Sequence, residues 1–291
     1  MKVVNFIYRE QKSIGVLGED EKGNAVVYDL CLSDPSIPVD MRAFLQQGKD
    51  GFQKAREVVN DTGSSKVSLS KVKLEAPVSD PEKIICVGIN YRDHAEETGK
   101  TIPDYPTIFS KYASSVIGAS DAIRIPRVTK QIDWECELAV IIGETCRHVS
   151  MENALDFVAG YTAANDVSAR DYQMRTTQWT IGKTFDTFCP LGPALVTKDE
   201  IPDPGCLDIS MFVDDELVQH SNTRELIFPV PYLVSYLSEV MTLKPGDVIL
   251  TGTPSGVGFA RSPQRFLKPG QTCRVEIESI GSLVNSVKAE A

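Results

Sequence analysis

The run Asp133-Trp134-Glu135-Cys136-Glu137-Leu138-Ala139-Val140-Ile141-Ile142-Gly143 constrains this chain more than any other segment. Its aliphatic tail reads as a strand, and a strand's period of two puts Glu135 and Glu137 on one face, Trp134 and Cys136 on the other. Two carboxylates side by side at the head of so apolar a run face partial burial, which is costly unless a cation neutralises them. A divalent metal does so directly. Oxygen ligands suit Mg²⁺, with Mn²⁺ close behind, whereas Zn²⁺ prefers the histidines and thiolates that are scarce and scattered here. The alternative is an exposed strand edge on which both glutamates are simply solvated.

A third carboxylate is available at Asp166, at the end of the mostly apolar run from Gly160. If a helix starts after Asn165, then Asp166, Arg170 and Gln173 share one face, with the carboxylate near the positive end of the helix. The plainer reading is that Asp166 only caps that helix. Lys183, set among small and apolar residues in Ile181-Gly182-Lys183-Thr184-Phe185-Asp186, offers a cation to offset the carboxylates or to stabilise an enolate; the alternative is an exposed lysine. His94 and Glu97, three apart in helix-compatible sequence, have acid/base geometry, since a carboxylate beside imidazole fixes its tautomer and raises its basicity. An i, i+3 His/Glu pair is also a common surface decoration. Leu250-Thr251-Gly252-Thr253-Pro254-Ser255-Gly256 reads as a tight turn exposing N–H groups and Thr253; the P-loop, dinucleotide and nucleophile-elbow spacings are all absent.

Composition narrows the partners. Thirty Lys and Arg stand against 40 Asp and Glu, and no basic cluster relieves the net charge of −10, so nucleic acid is a poor partner. The longest apolar runs fall far short of the roughly 20 residues that span a bilayer, so no membrane insertion is expected. Seven scattered cysteines without a Cys-x-x-Cys pair fit reduced thiols. Met1 to Arg9 has neither a signal-peptide nor a transit-peptide pattern, and the expected compartment is cytoplasmic, with a trimmed mitochondrial matrix form as the alternative.

Along the chain, short strands are expected at Val3 to Tyr8, Ile14 to Leu17 and Ala25 to Leu30. Loose helical spacing follows from Met41 to Val59, broken near Gly48 and Gly51. A domain boundary is expected at 70 to 80, giving a small N-terminal β-containing domain at 1–75 and a catalytic domain at 76–291. The remainder is strand-rich, hence α+β with β dominant. One clear helix carries Leu233, Tyr236, Leu237 and Val240 inward after Pro231, with Ser235, Ser238 and Glu239 outward.

Six motifs in series then resemble the fumarylacetoacetate hydrolase family: Asn-Tyr-x-x-His-x-x-Glu at 90 to 97, Phe109-Ser110-Lys111, Asp133-Trp134-Glu135-x-Glu137, Asp166 to Asp171, Gly182 to Asp186, and Thr251 to Pro254. The resemblance runs from about Pro81 to Val287. It implies a mixed β-roll catalytic domain, a homodimer, and Mg²⁺ or Mn²⁺ on Glu135, Glu137 and Asp166. It also implies a His94/Glu97 dyad on a lid, and substrate contacts from Lys183, Lys111, Arg170, Gln173 and Thr253. The family acts on 2-oxo and 2,4-dioxo acids. Its closest subgroup points to keto–enol tautomerisation of oxaloacetate, ahead of carbon–carbon hydrolysis of an acylpyruvate or decarboxylation of oxaloacetate. A non-catalytic protein that binds a metabolite or a partner is the reading from a different class.

Overall fold

The computed structural model describes residues 1–290. A twelve-stranded sheet organises it. From one end, its strands run Lys66–Ser68, Ala25–Asp29, Gln11–Glu19, Lys2–Tyr8, Cys189–Thr197, Val158–Asn165, Cys136–Ile142, Val248–Leu250, Ile84–Gly88 and Thr107–Lys111; Lys73–Leu74 and Val116–Ile117 attach to the side. Pairing is mostly antiparallel, but Val248–Leu250 lies parallel to Ile84–Gly88. A second sheet of five strands is built from two hairpins and an edge strand, Ile123–Ile125. The first hairpin, Asp208–Val213 with Glu216–Asn222, turns at Asp214-Asp215, where Asp214 takes a positive φ of 53°. The β-rich α+β reading therefore holds.

Cys136–Ile142 shows why the sheet is mixed in character. All seven of its residues are buried. Cys136, Leu138, Val140 and Ile142 face one core, with Trp134, the second sheet and the helix Val230–Val240, while Ala139 and Ile141 face another that includes Ile14, Phe44 and Leu45. A strand covered on both faces reads as a continuous apolar run, which is what the sequence shows.

The expected boundary near residue 75 falls between Lys73–Leu74 and Ile84–Gly88, and the sheet runs across it: Lys2 pairs with Val196 and Val3 with Leu195. Between Met41 and Asn60 there are two helices, Met41–Gln46 and Gly48–Asn60; the break is at Gly48, with a φ of 58°, while Gly51 lies inside the second helix. Leu30 leaves the third strand and begins the short helix Leu30–Ser33, capped by Asp29.

Helix Val230–Val240 occurs where expected, with Pro231 in its first turn, where a missing N–H costs nothing. Its inward face differs: Ser238 is fully buried and Val240 is 66% exposed. The buried hydroxyl is satisfied locally, accepting from Val149 N–H at 2.9 Å and donating to the Ser235 carbonyl at 2.7 Å. Among the described residues no helix is long and apolar enough to cross a membrane, and all seven cysteines are free.

Candidate metal centre and active site

Glu135, Glu137 and Asp166 converge, with ligand oxygens all within 4.8 Å of one another. The backbone joins the two segments that carry them: Asp166 N–H donates to the Glu135 carbonyl at 2.9 Å, and Glu135 N–H donates to Asn165 Oδ1 at 3.0 Å. The solvated strand edge is thereby excluded, since Glu135 and Glu137 are only 5% and 2% exposed.

Asp166 reaches the cluster from a different conformation than expected. No helix starts after Asn165; the chain passes through a short strand, Ser168–Ala169, paired with Ile132–Asp133, and the helix spans only Arg170–Gln173, with Ala169 at its N-cap. Asp166 is neither helical nor a cap. A kink between two strands aims it at Glu135, while Arg170 and Gln173 approach from the following turn.

Three cations are buried with the carboxylates. Lys183 Nζ bridges Glu135 Oε2 at 2.5 Å and Asp166 Oδ2 at 2.7 Å, and Lys111 Nζ meets Asp166 Oδ1 at 2.6 Å. Arg170 Nη1 lies 2.7 Å from Glu135 Oε1 and donates to Gln173 Oε1 at 2.9 Å, and its Nε donates to Asp133 Oδ2 at 2.8 Å. Asp133 is further held by the N–H groups of Trp134, Gly258 and Phe259. Lys183 is thus not the exposed lysine of the plainer reading; it is 1% exposed.

The electrostatics are uneven. Burial works to raise the Glu135 carboxyl, but Lys183 and Arg170 outweigh it and hold that group well below the usual carboxylate range. Burial, then Asp166 and Glu135, push the Glu137 carboxyl well above it. Among the described residues Glu137 makes no ion pair; it accepts the Gly252 N–H at 2.7 Å, a donor aimed by a glycine with a φ of 104°. With Asp133 counted, four buried carboxyl groups face the three cations Lys111, Arg170 and Lys183, and Glu137 is the one left without a cation. An all-oxygen donor set in which one carboxyl group lacks a cation fits a hard divalent ion, which would favour the ionised form of Glu137.

The cluster opens on a cavity of about 400 Å³. Glu135, Glu137, Arg170, Gln173, Lys183 and Thr253 line it, and His94 and Glu97 complete its wall. Lys111 is behind Asp166 and does not line it. His94 Nδ1 lies 3.2 Å from Glu97 Oε2 on the helix Arg92–Glu97, and Glu97 Oε1 accepts the Gly256 N–H at 2.8 Å. The helix is rooted by fully buried Asn90, whose Nδ2 donates to the carbonyls of Phe228 and Thr251. Next to it, Ile89 holds a φ of 56°, a strained conformation for a β-branched residue at the cavity wall.

A family description for the fumarylacetoacetate hydrolase C-terminal region matches residues 83–288. The chain belongs to the fumarylacetoacetate hydrolase family. A Xenopus laevis protein named oxaloacetate tautomerase fahd2, mitochondrial, is 47% identical over 289 residues, covering 99% of this chain and 90% of that one. The fumarylacetoacetate hydrolase of Exiguobacterium antarcticum superimposes with a TM-score of 0.86 at 36% identity, covering all of both chains. A maleylpyruvate hydrolase from Sphingobium, solved with manganese(II) and pyruvate, gives 0.82 at 32% identity, again over both whole chains.

Several residues of this family site carried no earlier role. Asp133 orients Arg170, and Asn165 ties the two acidic segments together. Gln219 accepts from Cys136 N–H at 3.0 Å and donates to Thr253 Oγ1 at 2.9 Å, fixing the turn beside the cluster. Asp133 adjoins the glutamates, which is a local signal for it; Gln219 arrives from a hairpin, 83 residues from Cys136, and has none.

Proposed function

We propose that this chain interconverts the keto and enol forms of oxaloacetate. The observation that carries the chemistry is the buried acidic cluster with Lys183 at its centre, facing the His94–Glu97 pair across one cavity. The name of the Xenopus relative, at 47% identity over nearly the whole chain, favours tautomerisation among the family's reactions.

The reaction needs one proton removed from C3 of the keto acid and one placed on the 2-oxygen; the electron pair of the broken C–H bond forms the C2–C3 double bond as the carbonyl π pair moves onto that oxygen. Stabilising the enolate between these events is the main task. Glu135, Glu137 and Asp166 would hold Mg²⁺ or Mn²⁺, which when bound supplies positive charge where the enolate's negative charge gathers. Lys183 Nζ, with one N–H beyond its contacts to Glu135 and Asp166, would donate to the same oxygen. Glu97 accepts from His94 Nδ1–H, which leaves Nε2 with the lone pair that takes the C3 proton and passes it to the 2-oxygen, the reverse reaction running the same path backwards. Arg170, Gln173 and Thr253 hold the substrate's oxygens, and Lys111 acts from behind by fixing Asp166.

Hydrolysis of an acylpyruvate is a second reading, favoured by the likeness to the maleylpyruvate hydrolase and by a dyad equally able to activate water. Purified protein with Mg²⁺ or Mn²⁺ is expected to collapse the ultraviolet absorbance of enol-oxaloacetate faster than buffer, without releasing pyruvate. Pyruvate release from oxaloacetate or an acylpyruvate would replace the first reading with decarboxylation or hydrolysis. Glu135→Ala and Asp166→Ala are each expected to abolish the metal-dependent rate; full activity of either in chelator-treated buffer would overturn the assignment.

The assembly is proposed to be a homodimer, checked by light scattering. The relatives' names favour a mitochondrial setting over the cytoplasmic one expected from the first residues.

A further inference from the structure

Lys100 lines the same cavity, three residues beyond Glu97 and on the segment that follows the helix Arg92–Glu97. Its Nζ lies 5.3 Å from the centre of the Trp179 ring. Among the described residues it has no ion pair, unlike the other two lysine and arginine side chains of the cavity: Lys183 is committed to Glu135 and Asp166, and Arg170 to Asp133 and Glu135. Partial burial, and then Arg170, lower the Lys100 pKa, and Glu135 offsets only part of this. Trp179 is itself fixed. Its ring packs edge-on to Phe109 at 5.5 Å and fills the space beside Gly88, where a Cβ would come within 2.2 Å of it.

We propose that Lys100, backed by Trp179, binds the far carboxylate of a dicarboxylic 2-oxo acid and so selects such substrates over those with an uncharged tail. This rests on the reading above for the head of the substrate, which sits at the acidic cluster. At that end Lys183 and Arg170 are already paired with Glu135, Asp166 and Asp133 and the remaining positive charge serves the 2-oxo acid head, so a second anionic group on the ligand has to be met elsewhere in the cavity. A tryptophan face holds an ammonium in place without neutralising it, leaving its N–H groups free for an incoming carboxylate.

Pyruvate and oxaloacetate share the 2-oxo acid head and differ in the carboxylate at the far end, so their affinities isolate the tail contact. Both are titrated against Mg²⁺-loaded protein by thermal shift, with oxaloacetate freshly dissolved and its pyruvate content monitored. The intact protein is expected to prefer oxaloacetate by at least about tenfold. Lys100→Met is expected to erase most of that preference through weaker oxaloacetate binding alone, Lys100→Arg to keep it, and Trp179→Leu to reduce it. Lys100 is exposed on its segment, so folding of the two Lys100 variants is not the limiting concern.

An unchanged preference in Lys100→Met, or an equal loss of pyruvate and oxaloacetate affinity, would overturn the proposal. The readout is binding, so it does not depend on turnover. A protein that shows the Lys100-dependent preference but no tautomerase rate would sink the proposed reaction and leave the subsite standing.

Discussion

Glu137 is the least compensated member of the acidic cluster, with one backbone N–H and no ion pair among the described residues. Removing its charge should therefore have opposite effects on two quantities. Glu137→Gln removes the repulsion that ionised Glu137 has with Asp166 and Glu135, so the metal-free protein is expected to melt at a higher temperature, increasingly so as pH rises and this raised carboxyl ionises, while Mg²⁺ affinity falls at least about tenfold; calorimetry across pH with and without metal reads both. Asp133→Asn acts differently, because it strands part of the Arg170 charge, and breaking a buried pair from one side costs about 3–5 kcal/mol. Chemical denaturation is the check. Among the thiols, burial pushes Cys189 and Cys273 up to about 12 and Cys86 and Cys136 well above the ordinary value, while Cys206 is exposed. Iodoacetamide on native protein should modify Cys206 first and leave those four intact, as mass spectrometry would show. At this scale Glu135, Glu137 and the His94–Glu97 pair were legible because periodicity within one element brings each pair together. The meeting of the glutamates with Asp166 could be supposed only from chemistry, and the roles of Gln219 and Asn165 depend on tertiary contacts with no periodic trace.

At the scale of elements, the strands were readable wherever apolar runs end in turn signals, as at the Asp214-Asp215 hairpin. Two places went astray for identifiable reasons. The segment after Asn165 has helix-compatible composition, but pairing of Ser168–Ala169 with Ile132–Asp133 takes precedence and delays the helix to Arg170. In the helix Val230–Val240, the need of the Val149 N–H for an acceptor draws Ser238 inward and turns Val240 to solvent. The helix is anchored by Leu233 and Leu237, 0% and 1% exposed, and Leu237→Ala is expected to cost about 2–5 kcal/mol by leaving a cavity. Val240→Ala should be close to neutral. Equal losses from the two substitutions in urea melts would contradict this orientation of the helix.

For the whole molecule, two consequences can be measured. A ligand that binds the folded cluster alone stabilises the chain by about 2.7 kcal/mol at 100 times its Kd. Mg²⁺ or Mn²⁺ is accordingly expected to raise Tm by roughly 5–10 °C, reversibly with chelator, and an unchanged Tm would argue against an ion at this centre. The N-terminal strands continue the same sheet and share a core with Ala139 and Ile141. A fragment beginning at residue 76 would bare the edge of Cys189–Thr197, and is expected to aggregate; a soluble, cooperatively melting fragment would show that the first 75 residues are a separable unit. Finally, the double coverage of Cys136–Ile142 ties its length to its chemistry. Sliding this strand one position against Val158–Asn165 would swing both glutamates toward the side of Trp134 and bring its aliphatic residues to the cluster, losing hydrophobic packing and reaction centre together. Individual letters in 133–142 can be exchanged at separate, graded cost, but a single insertion or deletion there is intolerable, so this part of the chain is free to drift in spelling and not in spacing.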